Sequence, residues 1–334
     1  MNSIELLPTW FLAIYVFFIG LCIGSFLNVA ILRGLVGDDV VLKRSHCPKC
    51  KNNLKWYMNI PLFSYVFLRG KCAFCKEKIS IQYPLVEFIC ACAYLASFFA
   101  FGITWKLLFV WAFLALFIAM SATDFLETVI IDIHAYILLG LGLLYSYLQL
   151  GDINIIQAII GAGFGFLVFE IMARIGKLFC GCRMFGEGDS LITLGLGAIF
   201  GWKAVLLIIS LSVLIQSIFA IPIMIFKAIK QQKIKLSVSY MLVFLSMFFV
   251  AINLYFKFIQ EGIIYSVILF VIVSSLIWAM LNILAEIKNK KEETEVEDEE
   301  KFNLMPFGPA LLISATICIF YLSNIKMFIL NLLN

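Results

Sequence analysis

The chain has 334 residues, of which 63% are hydrophobic and 14% charged, with a net charge of +4 and a mean hydropathy of +1.04. That balance lies outside the range of soluble domains and excludes a water-soluble globular enzyme or a basic nucleic-acid-binding module. The composition is that of an all-α, multi-pass membrane protein whose partner is the lipid bilayer, and no nucleic-acid partner is expected.

Charge placement orients the spans. Of the 25 Lys and Arg residues, ten fall between Arg33 and Lys78. Short basic loops stay in the cytoplasm. No Lys or Arg precedes the first apolar run, so no separate signal peptide is expected. The first helix is predicted over about 10–32, from outside to inside, with domain boundaries at 1–32 and 33–83 for this span and the basic block after it. Spans over about 84–101, 105–123, 133–150 and 154–174 follow, which leaves 175–188 on the cytoplasmic side. The apolar run 190–200 covers only about half of a ~30 Å hydrocarbon core, so it is either a half-helix or bends at Gly201 into the next span, about 204–226. These spans form a membrane core over 84–227. A further pair at about 237–256 and 262–285, with the charged linker "KNKKEETEVEDEEK", makes up 228–303. A last span lies within 304–334. The total is eight to ten spans.

The basic block carries "CPKC" at 47–50 and "CAFC" at 72–75, a C-x2-C-x21-C-x2-C pattern. Two such knuckles predict a small cytoplasmic zinc-binding domain with Cys47, Cys50, Cys72 and Cys75 as ligands. A reducing cytoplasm argues against two disulfides. His46 adjoins the first knuckle as a further ligand candidate. Cys180 and Cys182 flank Gly181, where a metal or redox role is an alternative to none.

Acidic residues in or near spans are costly and mark function. The candidates are Asp124, Glu127, Asp132, Glu170 and Asp189. Glu170 stands four residues before Arg174, which an i,i+4 pair explains. By the topology above, Asp124 ends one span and Asp189 begins another on the same cytoplasmic face. Two carboxylates so placed fit an aspartyl dyad, in which close anions share one proton and activate water. Asp132 is the rival for the first aspartate. Gly186 and Gly188 would let a substrate strand approach the backbone. The alternative is a set of interfacial charges facing headgroups.

Taken together, these segments resemble the type IV prepilin peptidases, the leader peptidase/N-methyltransferases of the GxGD aspartyl-protease group. The resemblance rests on "GLCIGSFLNVAILR" (20–33), the cysteine block through Tyr83, Pro84 and Glu87, "TDFLETVIID" (123–132), "GEGD" (186–189) and "MPFGPALL" (305–312). It implies Asp124 and Asp189 as catalytic, with Glu87, Asp132, Gly186 and Gly188 supporting. It also implies cleavage of prepilin or pseudopilin leaders at the cytoplasmic face of the inner (plasma) membrane, followed by methylation of the new amine from S-adenosyl-L-methionine. Three departures stand out. Leu191 replaces the family's Lys, Ile131-Asp132 replaces a Pro-Asp pair, and 228–303 is inserted where a short loop is usual. Two readings from other classes remain: a non-catalytic scaffold whose zinc ribbon docks pilin or secretion partners, and a transporter using the acids for proton coupling.

Overall fold

The structure is a computed structural model that describes residues 8–39, 45–180, 186–230 and 306–333. The predicted spans at 237–256 and 262–285, the charged linker, and Cys182 lie outside the described residues, as does the side chain of Cys180.

Described residues form helices α1 (Thr9–Val36), α2 (Phe63–Phe67), α3 (Gln82–Phe101), α4 (Trp105–Glu127), α5 (Asp132–Tyr147), α6 (Ile155–Cys180), α7 (Glu187–Lys230) and α8 (Gly308–Leu333), with a 3-10 turn at Trp56–Asn59. Four of them are long and apolar enough to cross a membrane: α1, α3, α4 and α7 over Glu187–Ile218. Among the described residues there are no strands, only isolated bridges between His46 and Asn53 and between Lys71 and Lys78. The chain divides into two compact units, residues 1–167 with 187–205, and residues 168–186 with 206–334. Every site residue below except Gly186, Glu170 and Arg174 belongs to the first.

In that first unit, apolar helices meet where small residues let backbones approach. On α1, a Cβ at Gly20 would stand 2.6 Å from the Cα of Ala91, and one at Gly24 would stand 2.6 Å from the Cα of Glu87. Asn28, one turn further along, donates to the carbonyl of Tyr83 at 3.0 Å. The pairs 20/91, 24/87 and 28/83 make α1 and α3 antiparallel neighbours. Tyr94 of α3 donates to the carbonyl of Trp111 on α4 at 3.0 Å and stacks on its ring at 4.9 Å, and the indole N–H returns to Ser97 at 2.9 Å. These bonds satisfy polar groups that lipid would leave bare.

Helix α7, through the part before Gly201, packs against α5 and α6. Leu138 packs at Gly195, and Ala198 with Ile199 packs at Gly142, so α5 and α7 run parallel. Gly165 of α6 lies against the carbonyl of Thr193, and Gly161 against Gly201, so α6 runs antiparallel to α7. Gly201, at φ 75 and ψ 168, divides α7 into two helices: Thr193 before it and Val205 after it both lie against Gly165, so the chain doubles back there. The short run 190–200 is therefore a half-helix that ends at Gly201, where glycine adopts the positive φ of the turn at little cost.

Candidate active site and metal centre

Asp124 lies in the last full turn of α4. The helix stops at Thr128, which adopts a left-handed φ of 53 and donates its backbone N–H to the carbonyl of Asp124 at 2.9 Å. Asp124 is only 6% exposed, whereas Phe125, Leu126 and Glu127 beyond it are open. The chain then passes through Val129–Ile131 and re-enters helix at Asp132.

Asp189 is the third residue of α7 and is 7% exposed. Its backbone is tied down by Thr193, whose hydroxyl donates to the carbonyls of Asp189 and Ser190, both at 3.0 Å. Gly188 brings this turn against the loop that follows Asp124, where a Cβ at Gly188 would meet Ile130 at 2.7 Å. Two buried carboxylates, 65 positions apart in the chain by their numbers, thus stand at the same end of the helix packing.

A second polar group lies between α1 and α3. Glu87, 7% exposed, accepts the backbone N–H of Leu62 at 2.8 Å, with Ser25 of α1 close to its carboxylate. Leu62 holds a φ of 60, a strained conformation for a branched side chain. The carboxylate thus anchors a strained turn of the cysteine block. The glutamate's value as a tether is invisible in the sequence, because its partner is a main-chain group.

The four cysteines converge. The sulfurs of Cys47, Cys50, Cys72 and Cys75 all lie within 4.8 Å of one another, with Cys47 and Cys75 3.9 Å apart. Tetrahedral thiolates around a cation at about 2.3 Å are spaced by about 3.8 Å, so the donor set fits zinc. The knuckles share one design. Lys51 donates to the carbonyl of Cys47 and Lys76 to that of Cys72, at 2.9 and 3.0 Å, with each lysine at a positive φ. Backbone N–H groups of Cys75 and Phe74 lower the Cys72 thiol to about 7, close to neutrality. Although the backbone at Glu77 pulls it down, Cys75 is pushed up to about 11 by desolvation and the adjacent sulfurs, a repulsion that a cation would relieve. His46 pairs with Asn53 beside this cluster and is not one of its four donors.

Comparison with known proteins bears on what this arrangement does. The bacterial peptidase A24 N-terminal domain matches residues 18–101, and the type IV leader peptidase family matches residues 111–221. Similar proteins called prepilin leader peptidase/N-methyltransferase occur in Pseudomonas aeruginosa, 35% identical over 61% of this chain and 78% of that protein, and in Neisseria gonorrhoeae, 31% identical over 61% and 79%. One from Myxococcus xanthus is 35% identical over 60% of each chain. The chain belongs to the type IV leader peptidase family. No solved structure matches it.

Within the family frame, the other acids separate from the buried pair. Asp132 is exposed on the first turn of α5, and Glu127 is exposed at the end of α4. Glu170 binds Arg174 at 3.0 Å, as its i,i+4 spacing predicts. Gly186 is exposed just before α7, and Leu191, in place of the family's lysine, is half-buried. Sequence reasoning passed over Thr193 and Ile130, which hold the α7 turn. The spacing of Thr193 four residues after Asp189 was the available signal, since a helical hydroxyl at that position bonds the carbonyl one turn back.

Proposed function

We propose that Asp124 and Asp189 are the aspartyl dyad of a membrane leader peptidase acting on type IV prepilins or pseudopilins at the cytoplasmic face of the inner membrane. The observation that carries this reading is the burial of both carboxylates at one end of the core, joined through the Gly188–Ile130 contact. The positive end of the α7 dipole favours an anion at Asp189, while the terminal carbonyls of α4 offer Asp124 no such support. Asp189 therefore takes the proton of the attacking water, and Asp124 donates a hydrogen bond to the carbonyl oxygen that develops charge. The remaining supporting roles follow from position. Gly186 leaves backbone open just before α7, Gly188 lets the first turn of α7 close on Ile130, Glu87 fixes the cysteine block, and Asp132 stands in the first turn of α5, where the helix dipole favours an acid.

Zinc on Cys47, Cys50, Cys72 and Cys75 has a structural part, closing a block too small to bury a core of its own. The names of the relatives extend the reading to methyl transfer onto the new amine from a donor of the S-adenosyl-L-methionine type.

The test is incubation of purified protein with a prepilin and the methyl donor, reading the N-terminal mass of the product. Asp124→Asn and Asp189→Asn variants that stay folded are expected to lose cleavage. Full cleavage by either variant overturns the dyad, and pilin binding without cleavage by the unaltered protein favours a scaffold.

A further inference from the structure

The stretch "IPLFSYVFL" (60–68) lies inside the cysteine block, which charge placement assigns to the cytoplasm. Its neighbours place it elsewhere. Helix α3 has 20 residues, about 30 Å of rise, so its whole length is needed to cross a hydrocarbon core of about 30 Å. Glu87, which holds the N–H of Leu62, sits five residues inside that helix. Phe63 stacks flat on Phe18 of α1, with ring centroids 6.2 Å apart and an interplanar angle of 6°. The antiparallel register of α1 and α3 sets Phe18 opposite Ala93, about 16 Å below the start of α3. The turn thus descends beside two spans to a depth where water is absent.

Two further features fit that depth. Backbone in lipid must satisfy its own polar groups. The N–H groups of Ser64, Val66, Leu68, Arg69 and Gly70 all donate to carbonyls between Ile60 and Val66, and that of Leu62 goes to Glu87. The outward side chains are apolar: Val66 is 69% exposed and Phe67 is 82% exposed. Lys55 and Trp56 precede the stretch, and Arg69 and Lys71 follow it, the pattern of residues that sit at headgroups.

We propose that residues 60–68 form a re-entrant segment embedded in the leaflet on the metal-centre side, with Val66 and Phe67 facing acyl chains. The occupant of this apolar face is lipid, because Phe63, itself half exposed, stacks on Phe18, which is exposed on the spanning helix α1, so the face continues the lipid-facing surface of that span. The cysteine block is then pinned to the membrane from within and does not float above it. This inference rests on the spans alone and stands whether or not the dyad does.

The test places a photoreactive benzoylphenylalanine at Phe67 in the full chain, in vesicles of phosphatidylethanolamine and phosphatidylglycerol. Val66 is a second position on the same face. Phe99, exposed within α3, is the lipid-facing reference, and Lys76, on the second knuckle, is the aqueous one. After illumination, adducts are counted by mass spectrometry. Lipid adducts at Phe67 and Val66 are expected at the yield of Phe99 and several-fold above Lys76. Yields equal to Lys76, or cross-links to a second copy of the chain instead of lipid, overturn the proposal.

Discussion

Gly188 has space for a hydrogen where any other side chain needs a methyl or more. A Cβ there would stand 2.7 Å from both Cβ and Cδ1 of Ile130, so Gly188→Ala must push apart the turn bearing Asp189 and the loop after Asp124. Misplacement by about 1 Å costs on the order of 100-fold in rate. Peptidase turnover of Gly188→Ala is therefore expected to fall by about that factor. Adding Ile130→Ala removes two of the three obstructing atoms, Cγ1 and Cδ1, and is expected to restore part of it, as a steady-state assay of the double variant would show. A motif glycine that merely supplies flexibility would not be rescued this way. Glu87 gives a second residue-scale test. Removing its carboxylate in Glu87→Ala leaves the N–H of Leu62 unsatisfied, and hydrogen bonds to charged groups are worth about 1.5–3 kcal/mol. Limited proteolysis between Trp56 and Lys78 is expected to quicken, while cleavage elsewhere is unchanged.

Helix seams obey the same logic over longer distances. Gly161 faces the backbone of Gly201 at 2.7 Å from where its Cβ would be, whereas Gly163, two residues on, has open space around it. Gly161→Val is expected to cost about 1–3 kcal/mol by overpacking. Gly163→Ala is expected to gain about 0.5–1 kcal/mol from helix propensity. Unfolding of both variants in mixed micelles would rank them, and equal behaviour would contradict the seam. The sequence shows this seam only as a scatter of glycines. Which glycine meets a backbone and which meets open space depends on helix rotation, and a nearly uniform apolar helix does not encode rotation in its pattern. The stop at Gly201 was readable as one of two options, since a short apolar run ending in glycine fits both a stop and a kink.

For the molecule as a whole, legibility followed locality. Four cysteines in two C-x2-C turns specify their own geometry, and the structure brings their sulfurs together as the spacing predicts. The ends bearing Asp124 and Asp189 could be placed on one face from basic loops alone, because lipid forces each span to cross completely. The segment 60–68 was misleading for the same reason. Nine mostly apolar residues are too few to span, and their flanking lysines and arginine read as an ordinary cytoplasmic loop. Only the hydrogen bond to Glu87 and the ring of Phe18 reveal the descent. The metal centre adds a prediction at this scale. Purified protein should hold about one zinc per chain, as four thiolates close one tetrahedral site. Chelation should open residues 45–80 to protease, and Cys47→Ser should do so without a chelator; elemental analysis and peptide mapping read both.

The tie between Leu62 and Glu87 joins positions 25 residues apart, and the acceptor is the later of the two. At about 5–20 residues per second, a ribosome finishes the turn roughly one to five seconds before its partner emerges. During that interval the nascent hairpin has α1 to lean on but no carboxylate to hold its strained amide. Maturation of this region therefore waits for the second hydrophobic segment to enter the bilayer, and the order of insertion becomes part of how the enzyme is assembled.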